Sequence, residues 1–478
     1  MNQIDQVLEH IDQAFLAMAQ DRLYKLLEIP SISTEPEHAD DCLKAANYLG
    51  KELAELGFTA TRKHDESTVG LVRETTGRPV VVAHHTGPEN GPHLLYYGHY
   101  DVQPAGENGW NSPQDGWNSP PFKPTLSNNP RPNSIVARGV ADDKGQTWMW
   151  LSAIRAWHER IGTMPCPITV VIEGDEETDS VHLDEFIRAN SDELRAQVLI
   201  ASDTEALNIN TPAITTSLRG LVYMEVGLKG AERDLHSGLY GGSALDPIYA
   251  LVSLLGTLKH ADGRIQIPGF YDGVQDIRAE RRATWDNFDE KRFLNQVGLS
   301  QFDGERGYSA LERLWARPAV TIHGVWGGYS GPGIATAIAT EARAKVSFRL
   351  VPGQNPQSIV EGFKAFMLDR KHADAKLDFR VDCADPATEI PSGSKFFQAA
   401  REALQVECDL ASPAPLIGCG GSIPVVETIK NEFGADCLLI GFGVETDNIH
   451  SANENFDLGR FHKGVRSHAR LLGMLGDV

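Results

Sequence analysis

Four stretches of the 478-residue chain place imidazole and carboxylate groups directly after short apolar runs. Gly98-His99-Tyr100-Asp101 follows Leu94 to Tyr97, and Glu173-Gly174-Asp175-Glu176-Glu177 follows Ile168 to Ile172. Ser202-Asp203 follows Val198 to Ala201, and Gly441-Phe442-Gly443, with His450 beyond it, follows Cys437 to Ile440. A fifth stretch, Ala141-Asp142-Asp143-Lys144-Gly145, opens a helical pattern. Gathered at one point, Asp142, Glu176, Glu177 and Asp203 would repel one another strongly unless cations compensated them. Imidazole with carboxylate suits Zn2+, Co2+ or Mn2+, whereas Ca2+ would want oxygen alone. Five ligands with one carboxylate shared give two ions three protein groups each, and an open coordination position marks a catalytic site. Asp101, two residues beyond His99, is placed to accept the second imidazole N–H. Taken singly these elements say little. A His-x-Asp pair is common on surfaces, an Asp-Glu-Glu run is usually a solvated turn, and Asp142-Asp143 could simply cap a helix. Their joint placement after apolar runs carries the inference, because open parallel sheets bind ligands at the carboxyl ends of their strands.

The elements that must position these groups can be read from the same sequence. Leu23, Leu26 and Leu27, then Leu43, Ala46, Leu49, Leu53 and Leu56, recur at helical spacing, with Ile29-Pro30-Ser31 breaking the two helices. The four apolar runs have the length of buried parallel strands, and Gly145 to His158 supplies a helix between two of them. This pattern predicts an α/β catalytic domain built on a mostly parallel, helix-covered sheet. Residues 214–385 read differently. Strands at Val222 to Val226, Ala344 to Leu350 and Leu377 to Val381 alternate with helices at Leu245 to Leu258 and Ser358 to Leu368. That order predicts a smaller α+β domain inserted between a first catalytic part, 1–213, and a second, 386–478. Residues 261–318, charged and Gly-rich, carry no assignable pattern.

Composition narrows the function classes. With 44 basic and 65 acidic residues the net charge is −21, which argues against a general nucleic-acid binder. No apolar run is long enough to span a membrane. The N-terminal residues read as an amphipathic helix rather than a signal peptide. The six scattered cysteines contain no CxxC pair, so they fit reduced thiols in a cytoplasm better than a disulfide framework or a thiolate zinc site. One local duplication stands out: Gly109-Trp110-Asn111-Ser112-Pro113 recurs as Gly116-Trp117-Asn118-Ser119-Pro120. The Pro-, Asn- and Gly-rich stretch around it predicts a loop, where a tandem duplication is usually tolerated rather than functional.

The chain resembles the M20 family of co-catalytic metallopeptidases, especially the branch holding carnosinase-like dipeptidases. The family also includes glutamate carboxypeptidase, succinyl-diaminopimelate desuccinylase and aminoacylases. The resemblance rests on Tyr97-Gly98-His99-Tyr100-Asp101-Val102-Gln103-Pro104, on Gly116 to Phe122, on Arg138 to Gly145 and on Glu173 to Glu177. It continues through Ser202-Asp203, Asp234-Leu235-His236-Ser237-Gly238, Ser347-Phe348-Arg349-Leu350, Gly420-Gly421-Ser422 and His450-Ser451-Ala452-Asn453-Glu454. It implies a zinc-exopeptidase-like catalytic domain with an inserted lid and dimerisation domain. His99 and Asp203 would hold one metal, Glu177 and His450 the other, and Asp142 would bridge. Glu176 would be the general base, and the Asp142–Asp143 peptide would be cis. His236 would reach across a homodimer to stabilise the oxyanion, Arg349 would anchor the substrate carboxylate, and Gly421 and Ser422 would offer substrate-binding donors. One departure is plain: the carnosinase branch usually carries Arg-Glu before Gly-Gly-Ser, where this chain has Gly418-Cys419.

These residues together predict a di-metal hydrolase, zinc-loaded or else carrying Mn2+ or Co2+, that cleaves an amide bond in dipeptides or small peptides with a free C-terminal carboxylate. An N-acyl-amino-acid deacylase would use the same machinery. A catalytically silent metal-binding homologue is the third reading, although decay usually removes a ligand or the base and all are present here. The substrate would be a small peptide or acyl amino acid, with neither nucleic acid nor membrane as partner.

Overall fold

The computed structural model describes residues 2–61, 70–88, 91–106, 116–128, 131–285, 288–421 and 423–477. The first copy of the duplicated pentapeptide, 109–113, and Ser422 lie outside the described residues. The chain divides into two compact units. One comprises residues 1–216, 390–416 and 423–478; the other comprises 217–389 and 417–422.

The first unit is a helix-covered mixed sheet. Its centre runs in the order Ile168–Glu173, Leu94–His99, Val198–Ala201, Asp436–Gly441, and every pair in that run is parallel. Strand Val80–His85 adds antiparallel on one side, and residues 213–215 pair antiparallel with Asp436–Gly441 on the other. Every residue of Ile168-Thr169-Val170-Val171-Ile172-Glu173 is buried, as β-branched side chains covered on both faces should be. The sequence showed the four central strands because each is a continuous apolar run. It did not show Val80–His85, whose closing His84-His85 breaks the apolar run.

Helix Lys144–Ile161 is buried from Lys144 through Trp157, with Tyr96 stacked on Trp150 at 4.1 Å. It ends at Gly162, whose φ of 83° lets its N–H reach the carbonyls of Trp157 and His158. Helix Leu458–Gly476 packs along it, and Trp157 Nε1 donates to the Ala469 carbonyl at 2.9 Å. The first helix, Gln3–Leu27, also packs here, N-capped by Asn2 through the Asp5 N–H. At its C-terminal end the buried Lys144 adds side-chain bonds, its Nζ donating to the Leu26 and Ile29 carbonyls at 3.1 and 2.7 Å.

The second unit is a four-stranded antiparallel sheet in the order Ala319–Gly327, Glu341–Leu350, Gly220–Lys229, Lys376–Asp385. Helices Pro247–Gly256 and Pro356–Arg370 pack on it, each started by an Asp or Asn cap with proline at the first turn. Met224, Val226, Val346, Phe348, Phe363 and Met367 fill the layer between them. The described residues of the stretch 261–318, unassigned from sequence, include the short helices Ala279–Ala283, Glu290–Gln296 and Ala310–Trp315. Strand Ala319–Gly327 is an edge, and it leaves Ile322, Val325 and Trp326 exposed. Among the described residues no helix is long and apolar enough to cross a membrane.

The core of the first unit contains an acid-sensitive point. His468, in helix Leu458–Gly476, is buried against Phe442 with its Nε2 at 3.1 Å from Ser202 Oγ, and burial pulls its pKa down to about 3. A ring that is neutral when folded and titrates normally when unfolded contributes stability above the unfolded value near 6.5. That stability drains as pH falls below it, by about 1.4 kcal/mol per pH unit. Urea unfolding at about pH 7 and about pH 5.5 should therefore show a shallower pH loss in His468→Gln than in the wild type, by roughly 1 kcal/mol. Equal losses would remove His468 from this role.

Candidate metal centre

The parallel register brings the chemistry to one edge. Tyr97 lies opposite both Val171 and Ala201, Leu439 lies opposite Ala201, and His99 lies opposite Glu173. Each strand therefore leaves the sheet at the same level, and His99, Glu176-Glu177 and Asp203 follow within a few residues. His450 lies beyond strand Asp436–Gly441, on the loop that follows the short turn Glu445–Asp447. Gly98 is required by packing. A Cβ there would run into Thr147 Oγ1 and crowd Asp143 Oδ2, the two groups that bond to each other beside His99.

Asp142 lies at the centre. Its Oδ1 is 3.0 Å from His99 Nε2 and its Oδ2 is 3.0 Å from His450 Nε2, so one carboxylate faces two imidazoles with different oxygens. Asp203 Oδ2 lies 3.9 Å from His99 Nε2, and Glu177 Oε2 lies 3.2 Å from His450 Nε2. Two ligand groups result, His99–Asp142–Asp203 and Asp142–Glu177–His450, and they share Asp142. The peptide between Asp142 and Asp143 is cis. His99 is fully buried while the His450 side chain is 51% exposed, so the two halves differ in access to solvent.

The surrounding groups fix the ligands. Asp101 is fully buried and lies with its Oδ1 3.3 Å from His99 Nδ1, the contact its spacing predicts. It has a second task that the sequence did not reveal: it accepts the N–H groups of Glu176 and Glu177 at 3.3 and 3.1 Å, holding the acidic turn in place. Ser33 Oγ donates to Asp101 at 2.6 Å, and Gln103 Nε2 donates to Glu177 Oε2 at 2.8 Å. Gln103, two residues beyond Asp101, could have been suspected from that spacing; Ser33, 68 positions away, could not.

Electrostatics matches a site built for cations. Burial works against a charged His99 ring, yet hydrogen bonds to Asp101 and Asp142 hold its pKa well above the usual value. Hydrogen bonds to Asp142 and Glu177 lift His450 to about 10. Burial, reinforced by the Asp142 charge, pushes Asp203 up to about 7. Burial raises Glu176 well above the carboxylate range, with His99 opposing and Asp203, Asp142 and Glu177 adding to the rise. Glu177 Oε1 is buried without a hydrogen-bond partner. An unpaired carboxylate oxygen out of water is costly, and a divalent ion would satisfy it. The nitrogen–oxygen donor set and this orphaned oxygen both fit two ions of the zinc type.

The other sequence-predicted residues belong to the second unit. His236 ends strand Leu235–His236, is exposed, and accepts the Gly238 N–H on Nδ1 at 3.0 Å. Arg349 is half-buried on strand Glu341–Leu350, opposite Leu221 and Ala319. Gly421 directs its N–H to Cys419 Sγ at 3.4 Å, and its carbonyl accepts from the Arg219 N–H.

A sequence model of peptidase family M20/M25/M40 matches residues 95–473. The Cys-Gly metallodipeptidase DUG1 of Candida albicans is 30% identical over 460 residues, covering 94% of this chain and 92% of that protein. Among solved structures, human carnosine dipeptidase 1 superposes with a TM-score of 0.78 at 25% identity over the whole of both chains. The M20 family metallo-carboxypeptidase Sso-CP2 from Sulfolobus solfataricus gives 0.79 at 27% identity, over 95% of this chain and 98% of that one.

The shared carboxylate makes an asymmetric prediction about ligand removal. After stripping and reloading with Zn2+, elemental analysis of the purified protein should find two ions in the wild type. His450→Ala should keep one, while Asp142→Ala should lose the tight binding of both, by about tenfold or more. Two tightly held ions in Asp142→Ala would contradict a shared ligand.

Proposed function

The chain belongs to peptidase family M20/M25/M40, and on that premise we propose that it is a di-metal peptidase cleaving dipeptides or small peptides with a free C-terminal carboxylate. The observation that carries this is the division of the Asp142 oxygens between His99 and His450, which makes two ligand sets from five side chains. Dipeptidases among its relatives support the substrate class.

His99 and Asp203 would hold one ion and Glu177 and His450 the other, with Asp142 between them. Zinc suits these donors, and manganese or cobalt would fit the same set. Bound there, the ions would polarise the scissile carbonyl and acidify the attacking water. Glu176 stands beside this cluster but outside both ligand sets. It takes the proton of the attacking water and passes it to the leaving nitrogen, and its buried setting suits a carboxyl that must hold a proton between the two steps. Asp101 keeps the His99 ring and the Glu176 turn in register.

The segment 214–385 serves as lid and dimerisation domain. His236 from a second copy would donate to the developing oxyanion, a contribution commonly worth about 10²- to 10³-fold in rate. Arg349 would grip the substrate carboxylate through its two-pronged guanidinium, and Gly421 and Ser422 would supply further donors. Support for a homodimer comes from the exposed apolar side chains of one strand and one helix: Ile322, Val325 and Trp326 on edge strand Ala319–Gly327, Tyr249 and Val252 on helix Pro247–Gly256. No disulfide joins any of the six cysteines, as a reducing cytoplasm would leave them.

Hydrolysis by metal-loaded protein of a dipeptide panel, set against N-acyl amino acids, tests the reading. Higher kcat/KM on dipeptides is expected; the reverse would assign a deacylase, and no chelator-sensitive turnover on either would assign a silent homologue. Glu176→Gln should keep both ions and lose about 10²- to 10⁴-fold in kcat. Trp326→Glu should shift the protein toward monomer in sedimentation velocity, with activity falling alongside if His236 acts from the partner; an unchanged sedimentation coefficient would move the interface elsewhere.

A further inference from the structure

Four residues beyond His450, on the same loop, the fully buried Glu454 divides its carboxylate over the turn that presents Asp142. Oε2 accepts from Arg138 Nη1 at 2.7 Å and from the Gly139 N–H at 2.9 Å. Oε1 accepts from the Ala141 and Asp142 N–H groups at 2.8 and 3.1 Å. The Glu454 carbonyl adds a bond from the Ala137 N–H at 3.1 Å. A buried carboxylate with a charged donor and three amides is strongly held, because hydrogen bonds to an ionised acceptor are about twice as strong as neutral ones. The main chain carrying one ligand, Asp142, is thereby tied to the loop carrying another, His450.

That loop is strained and braced from outside. His450 and Asn453 adopt left-handed φ values of 57° and 62°, each costing of the order of 1 kcal/mol in a non-glycine residue, so neighbouring contacts must hold them. The brace is the second copy of the duplicated pentapeptide. The Asn118 N–H donates to Asn453 Oδ1 at 2.7 Å, and Asn453 Nδ2 donates to the Gly116 carbonyl at 2.9 Å. Between them, Trp117 lies under the Arg138 guanidinium at 5.4 Å and donates its indole N–H to the Ala105 carbonyl at 2.8 Å. It also packs against the small cluster of Ile32, Val102, Ala105 and Phe122. Arg138 Nη2 closes the circuit on the Pro104 carbonyl at 3.2 Å.

We propose that Glu454 is a positioning residue of the metal centre, acting on both ligand sets through the shared Asp142, and that Gly116-Trp117-Asn118 braces the His450 loop and so sets the affinity of the Asp142–Glu177–His450 set for a divalent ion. The proposal rests on those three side chains being metal ligands. It gives the second copy of the duplicated pentapeptide a role, since among the described residues 116–118 contact the His450 loop. A purely structural role would lower thermal stability and leave metal affinity alone; a positioning role moves the affinity.

The test is titration of metal-free protein with Mn2+ or Zn2+ alone, followed by calorimetry, with the melting temperature of the metal-free form recorded alongside. Asn453→Gly tolerates the left-handed backbone and removes only the two side-chain bonds; Trp117→Leu removes the contact with Arg138. Both should weaken one of two ions by about tenfold, the usual effect of removing a group that orients a ligand, and leave the other within about twofold. Glu454→Gln should weaken both, because Asp142 is shared. Trp110→Leu, in the first copy, should bind as the wild type does. Should Glu454→Gln fail to fold, Asn453→Gly and Trp117→Leu still decide. Wild-type affinities in those two variants, or equal weakening by Trp110→Leu, would overturn the brace while a two-ion wild type kept the metal centre intact. A wild type that takes up no ion would remove both.

Discussion

One carboxylate facing two imidazoles is the constraint on which the rest depends. Asp142 turns one oxygen toward His99 and the other toward His450, residues 351 positions apart in the chain. Four carboxylates, Asp142, Glu176, Glu177 and Asp203, crowd around two rings, and the buried ones cannot all keep their charge in the absence of compensating cations. The protein tolerates this because the strands beneath are fully buried, and because main-chain N–H groups aimed at Asp101 and Glu454 lock the turns that bear the ligands. Cost is concentrated at the site and met by the packing around it.

The fold follows from that requirement in a direct way. Four parallel strands sharing one carboxyl edge deliver groups from distant parts of the sequence to one place, and no local structure could do so. Helix Lys144–Ile161, buried along most of its length, anchors the strand edge from below. Its first residue also reaches back to close the end of helix Gln3–Leu27. Lys144 thus joins the N-terminal helix to the segment holding Asp142 through a single Nζ atom.

Much of this was legible in the sequence, for reasons that can be named. Continuous apolar runs such as Ile168 to Ile172 announce strands buried on both faces, and a His or acidic group directly after each run announces a strand end that faces a ligand. The proline break at Ile29-Pro30-Ser31 separates two helices, as its geometry demands. Family motifs added Glu176 and the sharing of Asp142, whose placement periodicity alone could not provide. Three kinds of feature stayed hidden. Strands such as Ala319–Gly327, with mixed and largely exposed side chains, have no clean period. Residues 261–318 form helices of one or two turns, too short to establish one. Groups that act through hydrogen bonds across long stretches of chain, such as Ser33 to Asp101 and Glu454 to the 138–142 turn, leave no trace in spacing. The tandem pentapeptide reads as loop filler because Asn453, the residue its second copy holds, lies 335 or more residues downstream.

The position of strand Asp436–Gly441 has a consequence for biosynthesis. It sits inside the sheet, between Val198–Ala201 and residues 213–215, rather than at a margin. On the ribosome, everything made before it must wait with a vacant slot in the middle of the domain. Closing that slot brings together segments separated by more than two hundred residues, a slow kind of event. Translation must therefore run past Gly441 before the sheet can become a finished object, and the nascent polypeptide spends that interval with an open sheet centre that chaperones would have reason to guard.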